Sequence, residues 1–351
     1  MALLRANVYR EAITEVSDMS KIIFQREIEV KKKVDVFVAG GGPAGVAAAV
    51  TAARLGVSVF LAERGQCFGG AAVNALVPAF MRFSDGENFM AGGIGREVFD
   101  ALYGTEADFT QKEYAIDVEK LKRIYDSMVK EAGVEFLFAA DVMGIETNNG
   151  KIEYAVIKGK ETVYAVKASV FIDATGDGML AVWNGAPYEK GDDTGAMMPG
   201  TLCTLWSDID WSRAVVELGK DPDNRHLKQA FEDGVFSVKD PSLPGMWRFA
   251  GSIGGGNIGH VFGVDGTDEQ SVTDGIIDAR KRMTEYQQYY NTYLEGYEKA
   301  KIVISGHELG IRETRRILGE YVLTADAYFN HSDLGTAFLR RWSKQFSGRD
   351  T

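Results

Sequence analysis

Residues 34–45 read VDVFVAGGGPAG, a β-branched apolar run followed directly by a glycine cluster. Such a run is typical of a buried parallel strand. The next stretch, 46–55, is mostly Ala and Val and predicts a helix capped by Gly56. A second apolar run, 57–62, ends at Glu63. The order strand, helix, strand predicts one β-α-β unit.

The glycines of this stretch have the spacing Gly40-x-Gly42-x-x-Gly45. The spacing is typical of dinucleotide binding when a strand precedes it and a helix follows, as the pattern predicts here. Gly40 then forms the tight turn, Gly42 lets the backbone reach a pyrophosphate, and Gly45 permits close helix–strand contact. The helix that starts near Pro43 and Ala44 points unpaired N–H groups at the phosphates.

Glu63 lies at the end of the second predicted strand, 18 residues after Gly45. An acid at this position accepts hydrogen bonds from ribose hydroxyls and disfavours a 2′-phosphate. The sequence therefore predicts a dinucleotide other than NADP at this unit. A tight strand–helix turn without a ligand is the structural alternative.

Composition excludes several function classes. The chain has 351 residues, enough for two domains or one large domain with an insertion, and a formal net charge of −11. This charge disfavours a nucleic-acid surface and an anionic membrane surface. Cys67 and Cys203 are far apart and predict neither a disulfide framework nor a metal site. There is no apolar run long enough to span a membrane and the N-terminus is acidic, so we expect a cytoplasmic protein.

Three further segments decide which dinucleotide we expect: Glu63-Arg64-Gly65 followed by Gly69-Gly70, the run FIDATGDG at 171–178, and GIRETRRILGEY at 310–321. With the glycine motif, they resemble FAD-dependent oxidoreductases of the glutathione-reductase-like fold. More narrowly, they resemble the bacterial branch related to the fumarate reductase and succinate dehydrogenase flavoproteins. The resemblance extends over roughly 34–326.

The resemblance implies an α/β fold: an FAD/NAD(P)-binding (Rossmann-like) three-layer domain with an inserted α+β substrate domain. The domain boundaries we expect are these: an N-terminal extension at 1–33, the first part of the FAD-binding domain at 34–190, a substrate or cap domain at 191–300, a return to the FAD domain at 301–326, and an atypical tail at 327–351. A helix over 268–300 carries a tyrosine stripe, which we interpret as core packing. The tail lacks the glycine- and alanine-rich segment with which the family closes the flavin site.

The resemblance also implies which residues bind FAD. The Ala-Thr-Gly strand end lies beside the diphosphate and adenosine half in such families, and the Gly-Gly segment approaches the ribityl chain and isoalloxazine ring. The cofactor-binding residues expected beside the glycine motif and Glu63 are Arg64, Gly69, Gly70, Ala174, Thr175, Gly176 and Asp177. No histidine precedes His226, so the resemblance implies non-covalent FAD, and Cys67 has no neighbouring cysteine for disulfide chemistry.

Two later clusters supply candidate catalytic residues. Residues 254–260 read GGGNIGH, and a histidine beside a flavin can act as a general acid or base. A glycine-rich turn with a hydrogen-bonded His260 is the alternative. Residues 310–316 hold three arginines and a glutamate, which suits an anionic substrate or, equally, a salt-bridge hub between domains. Arg312 is the candidate site residue of this cluster.

The leading hypothesis is an enzyme that transfers a hydride between a small organic substrate and FAD. The protein then supplies position and electrostatics while the cofactor supplies the redox chemistry. A non-catalytic flavoprotein remnant is a second hypothesis, favoured by the atypical tail. An NAD-dependent dehydrogenase is a third, and the Ala-Thr-Gly segment argues against it.

Overall fold

The predicted β-α-β unit is present in the computed structural model, which describes residues 25–214, 225–241 and 245–319. It consists of β1 (Glu29–Ala39), α1 (Pro43–Arg54) and β2 (Val59–Glu63). Strand β1 starts five residues before the predicted run, because the backbone from Glu29 onward already pairs with a neighbouring strand. The expected boundary at 33/34 therefore falls inside a strand. Residues 327–351, the expected atypical tail, lie outside the described residues.

The central sheet has six strands in the order β5-β2-β1-β8-β7-β6. Its other members are β5 (Glu135–Phe138), β6 (Asp141–Asn148), β7 (Lys151–Lys158) and β8 (Val163–Asp173). The first four strands in that order are parallel, and β7 and β6 add an antiparallel edge. Strand β8 is continuous over its 11 residues and pairs with β1 along its length.

Helices cover both faces of this sheet. On one face, α1 packs with α3 (Ile94–Tyr103) and α4 (Val118–Glu131) around a core that includes Leu61 and Leu121. The sequence predicted no helix at α3, which begins directly after the glycines at 92 and 93. Short elements complete the layer: α2 (Ala71–Asn74), β3 (Ala79–Phe80) and β4 (Tyr114–Ala115). On the other face, α5 (Met179–Trp183) packs with the β6–β7 edge. We call this unit the first domain.

A second core surrounds an antiparallel sheet of order β12-β13-β11-β15. Its strands are β11 (Thr204–Ser207), β12 (Met246–Ala250), β13 (Ile253–Gly256) and β15 (Lys301–Ser305). Helices α6 (Arg225–Glu232) and α7 (Glu269–Tyr293) pack against it, with short pairs formed by β9 (Tyr188–Glu189), β10 (Gly200–Thr201), β14 (His260–Val261) and β16 (Arg316–Ile317). We call this unit the second domain. The return expected at 301 comes too early, because β15 pairs with β11.

Helix α7 confirms the interpretation of the tyrosine stripe and corrects its extent. The helix ends at Tyr293 rather than near 300, and its N-terminus is capped by the Asp268 carboxylate, which accepts from the Ser271 N–H at 2.6 Å. Tyr286 and Tyr290 are buried in the second core with Trp206. Ile277 of the same helix is 58% exposed.

Candidate active site

The glycine motif forms a turn in which side chains cannot be accommodated at two positions. Gly40 has φ +95°, and a Cβ there would lie 2.5 Å from the Ala174 carbonyl oxygen. A Cβ on Gly45 would lie 1.9 Å from the Gly40 carbonyl oxygen. At Gly42, by contrast, a Cβ would meet only Gly70 Cα at 3.8 Å, which is ordinary contact. The structure thus shows close approach at Gly40 and Gly45, and space beside Gly42.

The N-terminus of α1 is not satisfied by side chains. Its N-cap residue Gly42 makes no side-chain capping bond. Pro43 begins the first turn, and this turn contains no acidic residue. The early N–H groups of such a helix need acceptors, and a phosphate supplies them.

Glu63 is buried at the end of β2, with 5% exposure. Its Oε2 accepts from the N–H of Gly41 at 2.5 Å and its Oε1 from the N–H of Gly65 at 2.6 Å. A carboxylate has about four lone-pair sites, so acceptor capacity remains for a ribose hydroxyl. The neighbouring Arg64 is 63% exposed and forms an ion pair with Glu308 at 2.9 Å, which links it to the segment after β15.

The turn after β8 brings the predicted Ala174–Asp177 segment to the glycine motif. The Thr175 hydroxyl donates to the Asp173 carboxylate at 2.7 Å and accepts from the Met179 N–H at 3.3 Å. This hydroxyl therefore shapes the turn, which needs a left-handed residue at Gly176, φ +84°. Across the motif, Gly70 faces Gly42, with a Gly70 Cβ falling 3.1 Å from Gly42 Cα.

A group of side chains in and around the second domain, which we call the polar cluster, brings both predicted catalytic residues together. Arg312 Nη2 lies 3.4 Å from His260 Nε2. The same nitrogen donates to Thr201 Oγ1 at 3.2 Å and to Asn257 Oδ1 at 3.4 Å. On the opposite side of the imidazole, Nδ1 lies 3.0 Å from Asp240 Oδ2. The polar cluster consists of Thr201, Asp240, Asn257, His260 and Arg312.

Backbone pairing explains why these residues converge. Strand β14 places His260 opposite Thr201 of β10, and Thr201 also forms a bridge with Gly310, two residues before Arg312. The buried Arg282 of α7 donates to the His260 carbonyl at 3.0 Å. In the segment 254–260, for which a glycine-rich turn was the alternative, residues 254–256 belong to strand β13. A Cβ on Gly254 would lie 2.7 Å from the Trp211 ring, so the glycines of β13 permit close packing with aromatic side chains.

The arginine cluster after Gly310 serves two places at once. Arg312 belongs to the polar cluster. Thr314 Oγ1 donates to the Gly176 carbonyl at 3.4 Å, and Arg315 Nη1 donates to the Asp177 carbonyl at 3.1 Å. Arg316 pairs with Glu313 at 2.9 Å. Segment 312–316 therefore connects the polar cluster with the turn after β8.

Sequence reasoning missed Asp240 and Thr201, because neither lies in a recognisable motif. Cys203 was considered only as one of two distant cysteines, yet its Sγ lies 3.8 Å from Asn257 Oδ1. Burial raises the pKa of the Cys203 thiol to about 12. The thiol is therefore protonated at neutral pH and contributes no thiolate to the polar cluster.

A cleft of about 1450 Å³ lies between the two domains. Arg64, Cys67 and Tyr103 line it on one side, with Phe249 and His307 on the other. Burial raises the pKa of the Cys67 thiol. His307 lines the same cleft as Cys67. A histidine is therefore present in the cleft beside the Cys67 segment, although none precedes His226 in the sequence.

Comparison with known families identifies the chain. The model of the family described as FAD dependent oxidoreductase matches residues 35–338. The chain belongs to this family. FAD is therefore its cofactor, and the fold is an FAD-binding Rossmann-like α/β fold with a mainly parallel central sheet. The match runs past Asp326, where the sequence resemblance ended, and the two alternative hypotheses are not favoured.

Individual relatives of this FAD dependent oxidoreductase are more distant. Digeranylgeranylglycerophospholipid reductase 1 of Methanopyrus kandleri is 29% identical over 153 residues, covering 40% of this chain and 39% of the relative. Soluble pyridine nucleotide transhydrogenase of Mycobacterium tuberculosis is 35% identical over 72 residues, 20% of this chain and 15% of the relative. The chain thus spans well under half the length of either. A geranylgeranyl bacteriochlorophyll reductase-like structure from Thermoplasma acidophilum aligns with TM-score 0.45 and 14% identity, covering 78% of this chain and 65% of that one.

The geometry of the glycine motif fits the FAD that the family requires. The space beside Gly42 and the uncapped N-terminus of α1 suit a pyrophosphate, and the buried carboxylate of Glu63 suits a ribose. Within the described residues, no helix is both long and apolar enough to cross a membrane.

Proposed function

We propose that this chain transfers a hydride between a small anionic organic substrate and non-covalent FAD, with the substrate held at the polar cluster. One observation carries the proposal. Segment 312–316 places Arg312 next to His260 while Thr314 and Arg315 hold the carbonyls of the Gly176–Asp177 turn. A cofactor bound along that turn and a substrate bound at Arg312 are then neighbours.

The cofactor side of the proposal uses the turn after β1, the end of β2 and the turn after β8. Bound FAD would supply the two-electron acceptor or donor, which no side chain provides. The N–H groups at the start of α1 would bind its diphosphate, and Glu63 would accept from a ribose hydroxyl. The residues proposed to hold FAD are Gly40, Gly42, Pro43, Ala44, Gly45, Glu63, Arg64, Gly69, Gly70, Ala174, Thr175, Gly176 and Asp177.

The substrate side uses the polar cluster. Arg312 would bind a carboxylate through parallel N–H donors, and its charge would fix the orientation of the substrate. His260 Nε2 would accept the proton released when the substrate is oxidised, giving up its contact with Arg312 Nη2 in that step, or return the proton in the opposite direction. Both side chains are supported by buried partners, which is what a site on a rigid scaffold requires.

Several finer assignments belong to the same proposal. The first domain would be the FAD-binding domain, and the second domain the substrate or cap domain, with the chain returning to the first domain only after β15. A kinship with the bacterial fumarate reductase and succinate dehydrogenase flavoproteins is supported by the 310–321 segment. A cytoplasmic location is supported by the free thiols of Cys67 and Cys203.

A spectroscopic titration tests the proposal. The purified chain is titrated with FAD, and the bound flavin is then exposed anaerobically to a panel of small carboxylic acids while its visible absorbance is recorded. We expect stoichiometric flavin uptake and bleaching by at least one carboxylic acid in the wild type, and uptake without bleaching in Arg312→Leu. Arg213→Leu, an exposed arginine paired with Glu295 and Glu298, is the matched control. Absence of uptake in excess FAD, or equal bleaching in Arg312→Leu, contradicts the proposal.

A further inference from the structure

Asp240 is a buried member of the polar cluster to which the proposed function assigns no chemical step. The Asp240 side chain has 2% exposure, and His260 has 13%. Asp240 Oδ2 faces His260 Nδ1 at 3.0 Å and also accepts from the His260 backbone N–H at 3.4 Å. A buried carboxylate is costly unless it is paired. His260 Nδ1 is such a partner for Asp240 Oδ2.

The contacts on the two ring nitrogens decide where the imidazole proton lies. A carboxylate only accepts, so Nδ1 carries a proton and donates it to Asp240. An arginine only donates, so the 3.4 Å contact between Arg312 Nη2 and His260 Nε2 is a hydrogen bond only when Nε2 carries the lone pair. Both contacts select the same neutral form, with the proton on Nδ1.

In this form, His260 Nε2 can accept a hydrogen bond from the guanidinium of Arg312. Three acceptors face Arg312 Nη2: His260 Nε2, Thr201 Oγ1 and Asn257 Oδ1. Among the described residues, Nη1 and Nε of Arg312 make no hydrogen bond, and the residue as a whole is exposed. The fixed nitrogen therefore sets the direction in which the remaining N–H donors of Arg312 point.

We infer that Asp240 is a positioning residue that acts through His260 to aim Arg312 at an anionic ligand. The identity of the ligand rests on the proposed function. The position of the proton on His260 is independent of that proposal. Without an acceptor at Nδ1, the imidazole can carry its proton on Nε2, and an Nε2–H facing the Arg312 N–H groups repels them. Asp240 therefore acts through the hydrogen-bond acceptor at Oδ2, and not through its negative charge alone.

Two substitutions of Asp240 are expected to affect His260 differently. In Asp240→Asn, the amide oxygen can stay where Oδ2 lies, because both the His260 backbone N–H and Nδ1–H favour an oxygen there. In Asp240→Leu, the shape is similar but no acceptor remains. We expect Asp240→Asn to keep the wild-type proton on Nδ1, and Asp240→Leu to lose it. A role that depends only on negative charge predicts that the two variants behave alike.

Long-range ¹H–¹⁵N correlation spectra of the full chain, labelled with ¹⁵N-histidine and saturated with FAD, read the proton position directly. The His260 signals are assigned by their loss in His260→Gln, and spectra are taken near pH 8. We expect Nδ1-protonated imidazole in the wild type and in Asp240→Asn. Predominantly Nε2-protonated neutral imidazole in the wild type overturns the inference.

Acetate is the probe for the ligand, and its binding is followed by the His260 resonances. We expect the acetate dissociation constant to rise about tenfold in Asp240→Leu and less than threefold in Asp240→Asn, with Asp233→Leu, an exposed acid on the same domain, as control. Equal acetate affinity in the wild type and Asp240→Leu overturns the positioning role. If acetate does not bind the wild type while the proton lies on Nδ1 as expected, the anionic substrate fails and the role of Asp240 in setting the tautomer stands.

Discussion

Gly45→Ala tests whether the glycine motif is shaped by contact between helix and strand. Inside a helix, alanine is favoured over glycine by about 1 kcal/mol. Here the new Cβ would lie 1.9 Å from the Gly40 carbonyl oxygen and 3.2 Å from Ala174 Cβ. Both the oxygen and its carbon, 3.0 Å away, belong to the backbone, so no side chain can rotate to make room. Overpacking usually costs about 1–3 kcal/mol of stability, and a contact this short should cost about 3 kcal/mol or more.

We expect a net loss of about 2 kcal/mol, which lowers Tm by about 3 °C in a chain of this length. Because α1 must move away from the turn, FAD affinity should fall about tenfold, equivalent to about 1.4 kcal/mol. Thermal unfolding followed by circular dichroism, with and without FAD, measures the first effect, and flavin fluorescence measures the second.

Gly92→Ala is the matched control for this substitution. A Cβ on Gly92 meets nothing within 4 Å, and its backbone is outside the left-handed region. The control should leave Tm and FAD affinity within error of the wild type. If Gly45→Ala is as stable as Gly92→Ala and binds FAD equally well, the close approach of α1 to β1 does not shape the site and the reasoning is wrong.

Three other predictions follow from buried or paired groups. Glu63→Ala should lower Tm and weaken FAD binding, because it leaves two backbone N–H groups without their acceptor, at about 1–3 kcal/mol each; thermal melts and flavin titration measure both. Lys190 holds the pKa of the Asp265 carboxyl at about 2 against 3.8, so the stability from this pair is present above pH 3.8 and is lost as pH falls towards 2. Asp265→Asn should flatten that part of a Tm–pH curve. Cys203, its thiol pKa raised to about 12, should resist iodoacetamide at pH 8 until urea is added, as judged by mass spectrometry.

Local patterns were sufficient for the first domain. The glycine motif and Glu63 at a strand end both depend on residues close in sequence, and the structure has both. Helix α3 was missed because the flanking glycines obscured its apolar periodicity.

The polar cluster shows where local reasoning ends. His260 and Arg312 were each selected for their chemistry, but their 3.4 Å separation depends on the pairing of β10 with β14 and of Thr201 with Gly310. Asp240 precedes a proline in a loop and has no motif at all. Contacts between residues far apart in sequence are set by how strands pair in the folded sheet, which a single sequence does not specify.

Segment 312–316 has a thermodynamic consequence. Its first residue contacts the polar cluster, and Thr314 and Arg315 contact the turn after β8, so the two proposed ligand sites share one stretch of backbone. A ligand that orders this stretch from one end lowers the cost of ordering it from the other. Thermodynamic reciprocity then requires that the factor by which FAD tightens anion binding equals the factor by which the anion tightens FAD binding. Positive cooperativity between cofactor and substrate is thus the expected property of this short connection.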